Sequence, residues 1–211
     1  MRKDGYTSEE RLRKSLNHGE PDRIPLDLGA ATTTGISAVA YRNLLDHLGY
    51  TDREVEIADP IQQLAKPDAD VLENFGVDVR GIKPRQVENY DIQEDEKYRF
   101  FTDEWGFEWR MPKKGGHYYD IVSSPLSGDI GIKDIENFDW PDPSDPRRVD
   151  GLAEEAEKIK SRSKGLIMNH WVWGIFELAS WLRGPEQFYK DLVMNQDLAN
   201  CLLDEVLDRK L

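Results

Sequence analysis

Cysteine is almost absent from this sequence: Cys201 is the only one among 211 residues. A single thiol excludes a disulfide within the chain and any metal site built from two of its own thiolates, a Cys-rich zinc site included. Long apolar runs are missing as well, and none approaches the ~18 consecutive residues of a membrane-spanning helix. The opening Met1-Arg2-Lys3-Asp4 is charged and leads into a polar helix, unlike the apolar segment of a secretory signal. These two absences predict a cytoplasmic protein with no membrane partner. Basic charge is scarce: 28 Lys and Arg face 41 Asp and Glu, for a net charge of −13. Such a chain repels polyanions, so nucleic acid is not an expected partner. No G-x-S-x-G elbow, Walker loop, G-x-G-x-x-G or H-E-x-x-H occurs, which leaves hydrolase, P-loop, dinucleotide and zincin chemistry without support.

What is present is an alternation of helix and strand signals. Thr7-x-x-Glu10 has capping-box spacing and opens a helix over about 8–18, with Leu12 and Leu16 four apart. Arg23 to Gly29 reads as a strand entering a hydroxyl-rich loop, Ala30 to Gly35. A helix over 37–48 follows, then helix signals from Pro67 to Phe75, a stop at Gly76 and a short strand over 77–82. From about 86 to 132 the pattern turns aromatic and β-branched around the turn Pro112 to Gly116, predicting an antiparallel β insertion. Three prolines between 141 and 146 make the stretch 133–146 a Pro-rich connector. Helix 147–162, strand 165–170 and helices near 175–183, 185–194 and 196–211 resume the alternation. Strand, loop and helix in repetition predict a parallel sheet with crossover helices. On the last helix Cys201 lies on the apolar side and reads as a small core residue. That helix stops at Leu211 without a terminating Gly, Asn or Pro.

Five stretches in order resemble the uroporphyrinogen decarboxylase superfamily, especially its corrinoid-dependent methyltransferase branch. They are Leu16 to Pro25 (LNHGEPDRIP), Asn74 to Arg80 (NFGVDVR), Asp103 to Trp109 (DEWGFEW), Phe138 to Pro143 (FDWPDP) and Ile175 to Gly184 (IFELASWLRG). The family fold is a (β/α)8 TIM barrel, which needs about 250 residues. The resemblance therefore implies an α/β chain forming the N-terminal half of such a barrel, residues 1–211, with the rest of the protein missing. The decarboxylases hold their substrate's carboxylates with two arginines after the first strand; Thr32 and Ile36 stand at those positions here and cannot do so. Their tyrosine is matched by Trp181, and their catalytic aspartate has its nearest match in Asp78. The methyltransferases carry a His-x-Cys zinc site with a distant second Cys; Ala199 stands two before Cys201, so that pattern is absent. No cofactor is expected on this chain alone, whereas corrinoid (cobalamin) and zinc are implied for the full-length methyltransferase. A small molecule or a corrinoid protein is the implied partner, and a homodimer is a further expectation.

The candidate catalytic residues are thus Asp78 and His170, the second at the end of a predicted parallel strand. A core histidine bonded to a backbone carbonyl is the other reading of His170. The candidate substrate-binding residues are Asp27 and Thr32 after the first strand, Asn169 and Trp173 beside His170, and Glu177 and Trp181 on the following helix. Glu177 reads equally as a first-turn acid favouring its helix N-terminus. Trp105, Trp109, His117, Tyr118 and Tyr119 form either an aromatic lid over a flat corrinoid or the packed face of a small sheet. Three functions follow as expectations: corrinoid-linked methyl transfer to a zinc-activated thiol, decarboxylation of a tetrapyrrole, and non-catalytic binding of a flat or sugar-like ligand.

Overall fold

The computed structural model describes residues 5–87, 90–169 and 173–211. In chain order they form α1 (Ser8–Leu16), α2 (Ala38–His47), β1 (Ile57–Asp59), β2 (Leu64–Ala65), α3 (Ala69–Asn74), β3 (Val79–Ile82), β4 (Gln93–Glu94), β5 (Tyr98–Thr102), β6 (Glu108–Pro112), β7 (Asp120–Ser123), α4 (Ile132–Glu136), α5 (Leu152–Lys160), β8 (Gly165–Met168), α6 (Ile175–Arg183), α7 (Pro185–Met194) and α8 (Gln196–Lys210). They divide into two compact units, Met1–Pro84 with Val149–Asn169, and Arg85–Arg148 with His170–Leu211.

In the first unit the capping box forms as its spacing predicts: Glu10 N–H donates to Thr7 Oγ1 at 3.2 Å, and Thr7 N–H donates to Glu10 Oε2 at 2.7 Å. The residue that α1 buries is a cation, Arg11, only 2% exposed, while Leu16 is 70% exposed. Arg11 is drawn inward by two carboxylates, donating to Asp22 through Nε (2.7 Å) and Nη2 (2.8 Å) and to Asp78 Oδ1 through Nη1 (2.7 Å). Asp78 is fully buried and also accepts from Arg23 Nη1 (2.5 Å) and Nη2 (2.9 Å), Ser8 Oγ (2.8 Å) and the Leu26 N–H (2.8 Å). One carboxylate therefore joins α1, the segment after it and the entry to β3.

β3 and β8 pair in parallel, Val79 opposite Gly165 through Ile82 opposite Met168. The segment up to Ala30 lies against β3 so closely that a Cβ on Gly81 would stand 1.7 Å from the Ala30 carbonyl oxygen. Only glycine fits there. A second cluster, Tyr41, Leu45, Ala65 and Val71, packs α2 and α3 against the small antiparallel pair β1 and β2. The Tyr41 hydroxyl ties them, donating to Asp68 Oδ2 at 2.6 Å and accepting from the Asp68 N–H at 2.7 Å.

The second unit holds a four-stranded antiparallel sheet in the order β4-β5-β6-β7. Alternation along β6 buries Trp109 and Met111 and exposes their neighbours. Its helices enclose Ile135, Leu178, Leu182, Phe188, Leu202 and Val206, all buried. Gly184, at φ +83°, ends α6, and Pro185 opens α7 with its ring already at the helical φ. Arg183 stabilises the corner, donating to Asp191 Oδ2 at 2.7 Å and to the carbonyls of Leu126 (2.8 Å) and Gly128 (2.7 Å).

This architecture corrects the expected half of a (β/α)8 TIM barrel. The described residues form eight helices and three small sheets, of which only the β3–β8 pair is parallel, and no barrel closes. The physical reason is visible at the expected first strand. Pro25 has no N–H, and the Leu26 N–H goes to the Asp78 side chain, so residues 23–29 form no regular ladder. The strands at 93–123 pair antiparallel among themselves.

Removing half of a buried ion pair leaves the other half uncompensated, at a cost of about 3–5 kcal/mol. Asp78→Asn is expected to lower the stability of the first unit by that order in urea denaturation, whereas an exposed change such as Glu20→Gln leaves it within about 0.5 kcal/mol. Burial alone pushes the Asp78 carboxyl up, but Arg23, the Leu26 N–H and Ser8 outweigh it and hold the group below its ordinary range. Its stabilisation is therefore present at neutral pH and is lost as pH falls below about 4.

Candidate functional site

Two of the residues singled out from the sequence, Asp27 and Asn169, are tied to the same residue, Ala30, beside the carboxyl ends of the parallel pair. Asn169 follows β8 directly, and its backbone N–H continues the ladder to the Ile82 carbonyl at 2.8 Å. Its side-chain Nδ2 donates to the Ala30 carbonyl at 2.5 Å. The Ala30 N–H donates in turn to Asp27 Oδ1 at 3.0 Å, and the Thr34 hydroxyl donates to Asp27 Oδ2 at 2.9 Å. Asp27 and Asn169 are thus held to the two sides of one peptide residue. Thr32 stands next to them, opening the 3-10 turn Thr32–Thr34, which the Gly29 N–H to Thr34 carbonyl bond closes at 2.9 Å.

All three of these side chains are half-buried, and the adjacent Met168 is 71% exposed. The result is a polar edge, preorganised from behind and flanked by one apolar side chain. The carboxyl ends of parallel strands are where α/β sheets bind ligands, because loops diverge there and leave a crevice.

Asp78 lies at the other end of β3. It has five donors on two oxygens and no exposed surface, which is the arrangement of an architectural carboxylate. His170 lies outside the described residues.

Trp173, Glu177 and Trp181 belong to the second unit. Trp173 and Trp181 are half-buried and meet edge to face, 4.9 Å between ring centres, with Trp109 6.0 Å from the first and 6.4 Å from the second. Glu177 is exposed in the first turn of α6, where its charge suits the helix N-terminus. Trp105, Trp109 and Tyr119 are each 3% exposed and pack the sheet, whereas His117 and Tyr118 are exposed. The buried three present no open face on which a flat macrocycle would stack. Nor do the described residues contain a group of three or more His, Cys, Asp or Glu placed to hold a metal ion. Cys201 is partly buried, and burial, followed by Glu136, Glu205 and Asp204, pushes its thiol up, away from the thiolate form. The described residues therefore hold no ligand set for zinc.

The titratable group that sequence reasoning missed is Asp103. It is 9% exposed and accepts from the N–H groups of Trp105 (2.9 Å) and Phe107 (3.0 Å) and from the Trp109 indole at 2.7 Å. Burial dominates these three donors and pushes the carboxyl up to about 6. An Asp three residues before a glycine at φ +79°, Gly106, was the available signal, since such a carboxylate caps its own turn.

No helix among the described residues is long and apolar enough to cross a membrane. Compared with family models, curated proteins and solved structures, the chain has no significant match.

The raised value at Asp103 carries a sign. Its contribution to stability is present below about pH 4 and is lost as pH rises through about 6. Asp103→Asn, which cannot titrate, is expected to remove that dependence. The stability difference between wild type and variant then changes by roughly 3 kcal/mol between pH 4 and 8. A difference constant with pH contradicts the assignment.

Proposed function

We propose that this chain carries the ligand-positioning part of a uroporphyrinogen decarboxylase-like protein of the methyltransferase branch. The carrying observation is the juxtaposition of Asp27 and Asn169 through Ala30 at the carboxyl ends of β3 and β8. The ligand this edge suits is a small molecule with a hydrogen-bonding group beside an apolar one. Asp27 offers acceptor oxygens, the Asn169 amide offers both donor and acceptor capacity, and Met168 supplies an apolar, polarisable contact. Methyl transfer then requires that zinc be brought by a partner, since the described residues hold no ligand set for it.

The tetrapyrrole decarboxylase reading has less support. A substrate bearing eight carboxylates would meet Asp27 where a pair of arginines is needed, and Thr32 and Ile36 carry no charge. The flat-ligand binder loses its main argument with the burial of Trp105 and Trp109.

The test is an amide-resolved NMR titration with a panel of small methoxy, methylamino and thiol compounds. Saturable shifts at Asp27, Ala30 to Thr34 and Asn169 are expected. Asn169→Ala should weaken them about five- to tenfold, as loss of one hydrogen bond of about 1–1.5 kcal/mol requires. Binding of uroporphyrin instead would favour the decarboxylase, and shifts confined to residues away from this edge would sink the proposal.

A further inference from the structure

At the amino ends of the same two strands the first unit has a cavity of about 310 Å3, within the range of about 300–1,000 Å3 common for small-molecule pockets. Its lining is unusual for a chain of net charge −13. Among the described residues Arg11, Arg23, Arg162 and Lys164 supply four cations and Tyr6, Thr7, Ser8 and Ser163 four hydroxyls, and none of those lining it is a carboxylate.

The charges around it do not cancel. Asp78 and Asp22 face Arg11 and Arg23. Glu73 is shared between Lys164 (2.9 Å) and Arg80 (2.9 Å). Glu10 is engaged in the cap of α1. Lys14 reaches the Tyr6 hydroxyl at 2.8 Å and lies over its ring. The Arg162 side chain is exposed and, among the described residues, has neither hydrogen-bond nor ion-pair partner. Among the described residues around the cavity, Lys14 and Arg162 are the cations without a carboxylate partner.

We propose that this cavity is a binding site for a small phosphate-bearing anion. Guanidinium groups match phosphate oxygens in geometry as well as charge, and the Tyr6 hydroxyl, which accepts from Lys14, keeps its own proton to donate beside them. Arg11, Arg23 and Lys164 keep their carboxylates behind the wall, while Arg162 closes on the anion from the mouth. A phosphate on a membrane or a nucleic acid is disfavoured, because the rest of the chain repels an extended polyanion and only a small ligand escapes that field. The site is separate from the Asp27 and Asn169 edge, which lies at the opposite ends of β3 and β8, and stands or falls independently of it.

The experiment is isothermal titration of the whole chain with inorganic phosphate, against chloride at equal ionic strength. Arg162→Gln removes an exposed side chain without structural contacts, and Arg13→Gln, on the exposed side of α1, is the control for net charge. Saturable binding is expected, weakened about tenfold or more by Arg162→Gln and unchanged by Arg13→Gln. Heat no larger than that of chloride, or equal weakening by both variants, would overturn the proposal.

Discussion

The Asp78 carboxylate is the interaction on which the first unit depends. It gathers Arg11 from α1, Arg23 and the Leu26 N–H from the following segment, and Ser8 from the helix start, all at the entry to β3. A buried charge is tolerated only when its hydrogen-bonding capacity is filled, and here it is filled from three directions. That demand has a specific consequence. Sliding the segment after α1 along β3 by one residue would displace the Leu26 N–H and the Arg23 guanidinium, which together supply three of the five donors to a fully buried carboxylate. Gly81 adds a steric limit on the same segment from the opposite side of Ala30. The positions of Asp27 and Ala30, and through Ala30 of Asn169, are therefore set by the ion cluster at the amino end of β3.

The second unit solves a related problem with opposite electrostatics. Asp103 is also buried, but its partners are neutral N–H groups, so desolvation is not fully offset and the carboxyl titrates near neutrality. Asp78 has cations and stays ionised; the two carboxylates give their units stability contributions of opposite pH dependence. Around Asp103, Phe107 meets Trp109 edge to face and Trp105 meets Trp140 edge to face, with Phe138 packed on Trp140 in turn. The stretches 16–25, 74–80, 103–109 and 175–184 supply these determinants directly. Arg23 and Asp78 serve the ion cluster, Asp103 the aromatic loop, and Arg183 the corner after α6. Their residues are occupied with architecture rather than exposed for chemistry.

The sites show the same division. Asp27, Thr32 and Asn169 were legible as candidates because each follows a strand signal with a polar residue where loops open. That Asp27 and Asn169 share one peptide residue, while Trp173 and Trp181 belong to another unit, was not legible. Sequence spacing says nothing about 139 residues of separation closing to a hydrogen bond. The cationic cavity was equally hidden, since its four cations come from three separate stretches in a chain that reads as acidic throughout.

By itself the sequence determined the local elements. The capping box at Thr7, the ends of α6 and α7 around Gly184 and Pro185, the turn at 112–116 and the alternation that buries Trp109 all follow from periodicity and backbone preference, which act over a few residues. It also determined the net charge and the want of a second thiol. The tertiary structure decided which strands are parallel, that Arg11 rather than Leu16 turns inward, and that a hydrogen bond from Leu26 to a side chain replaces a ladder bond. Those outcomes rest on pairing buried charge across long separations. Coulombic and desolvation energies depend on which partner is near in space, and no local pattern encodes that.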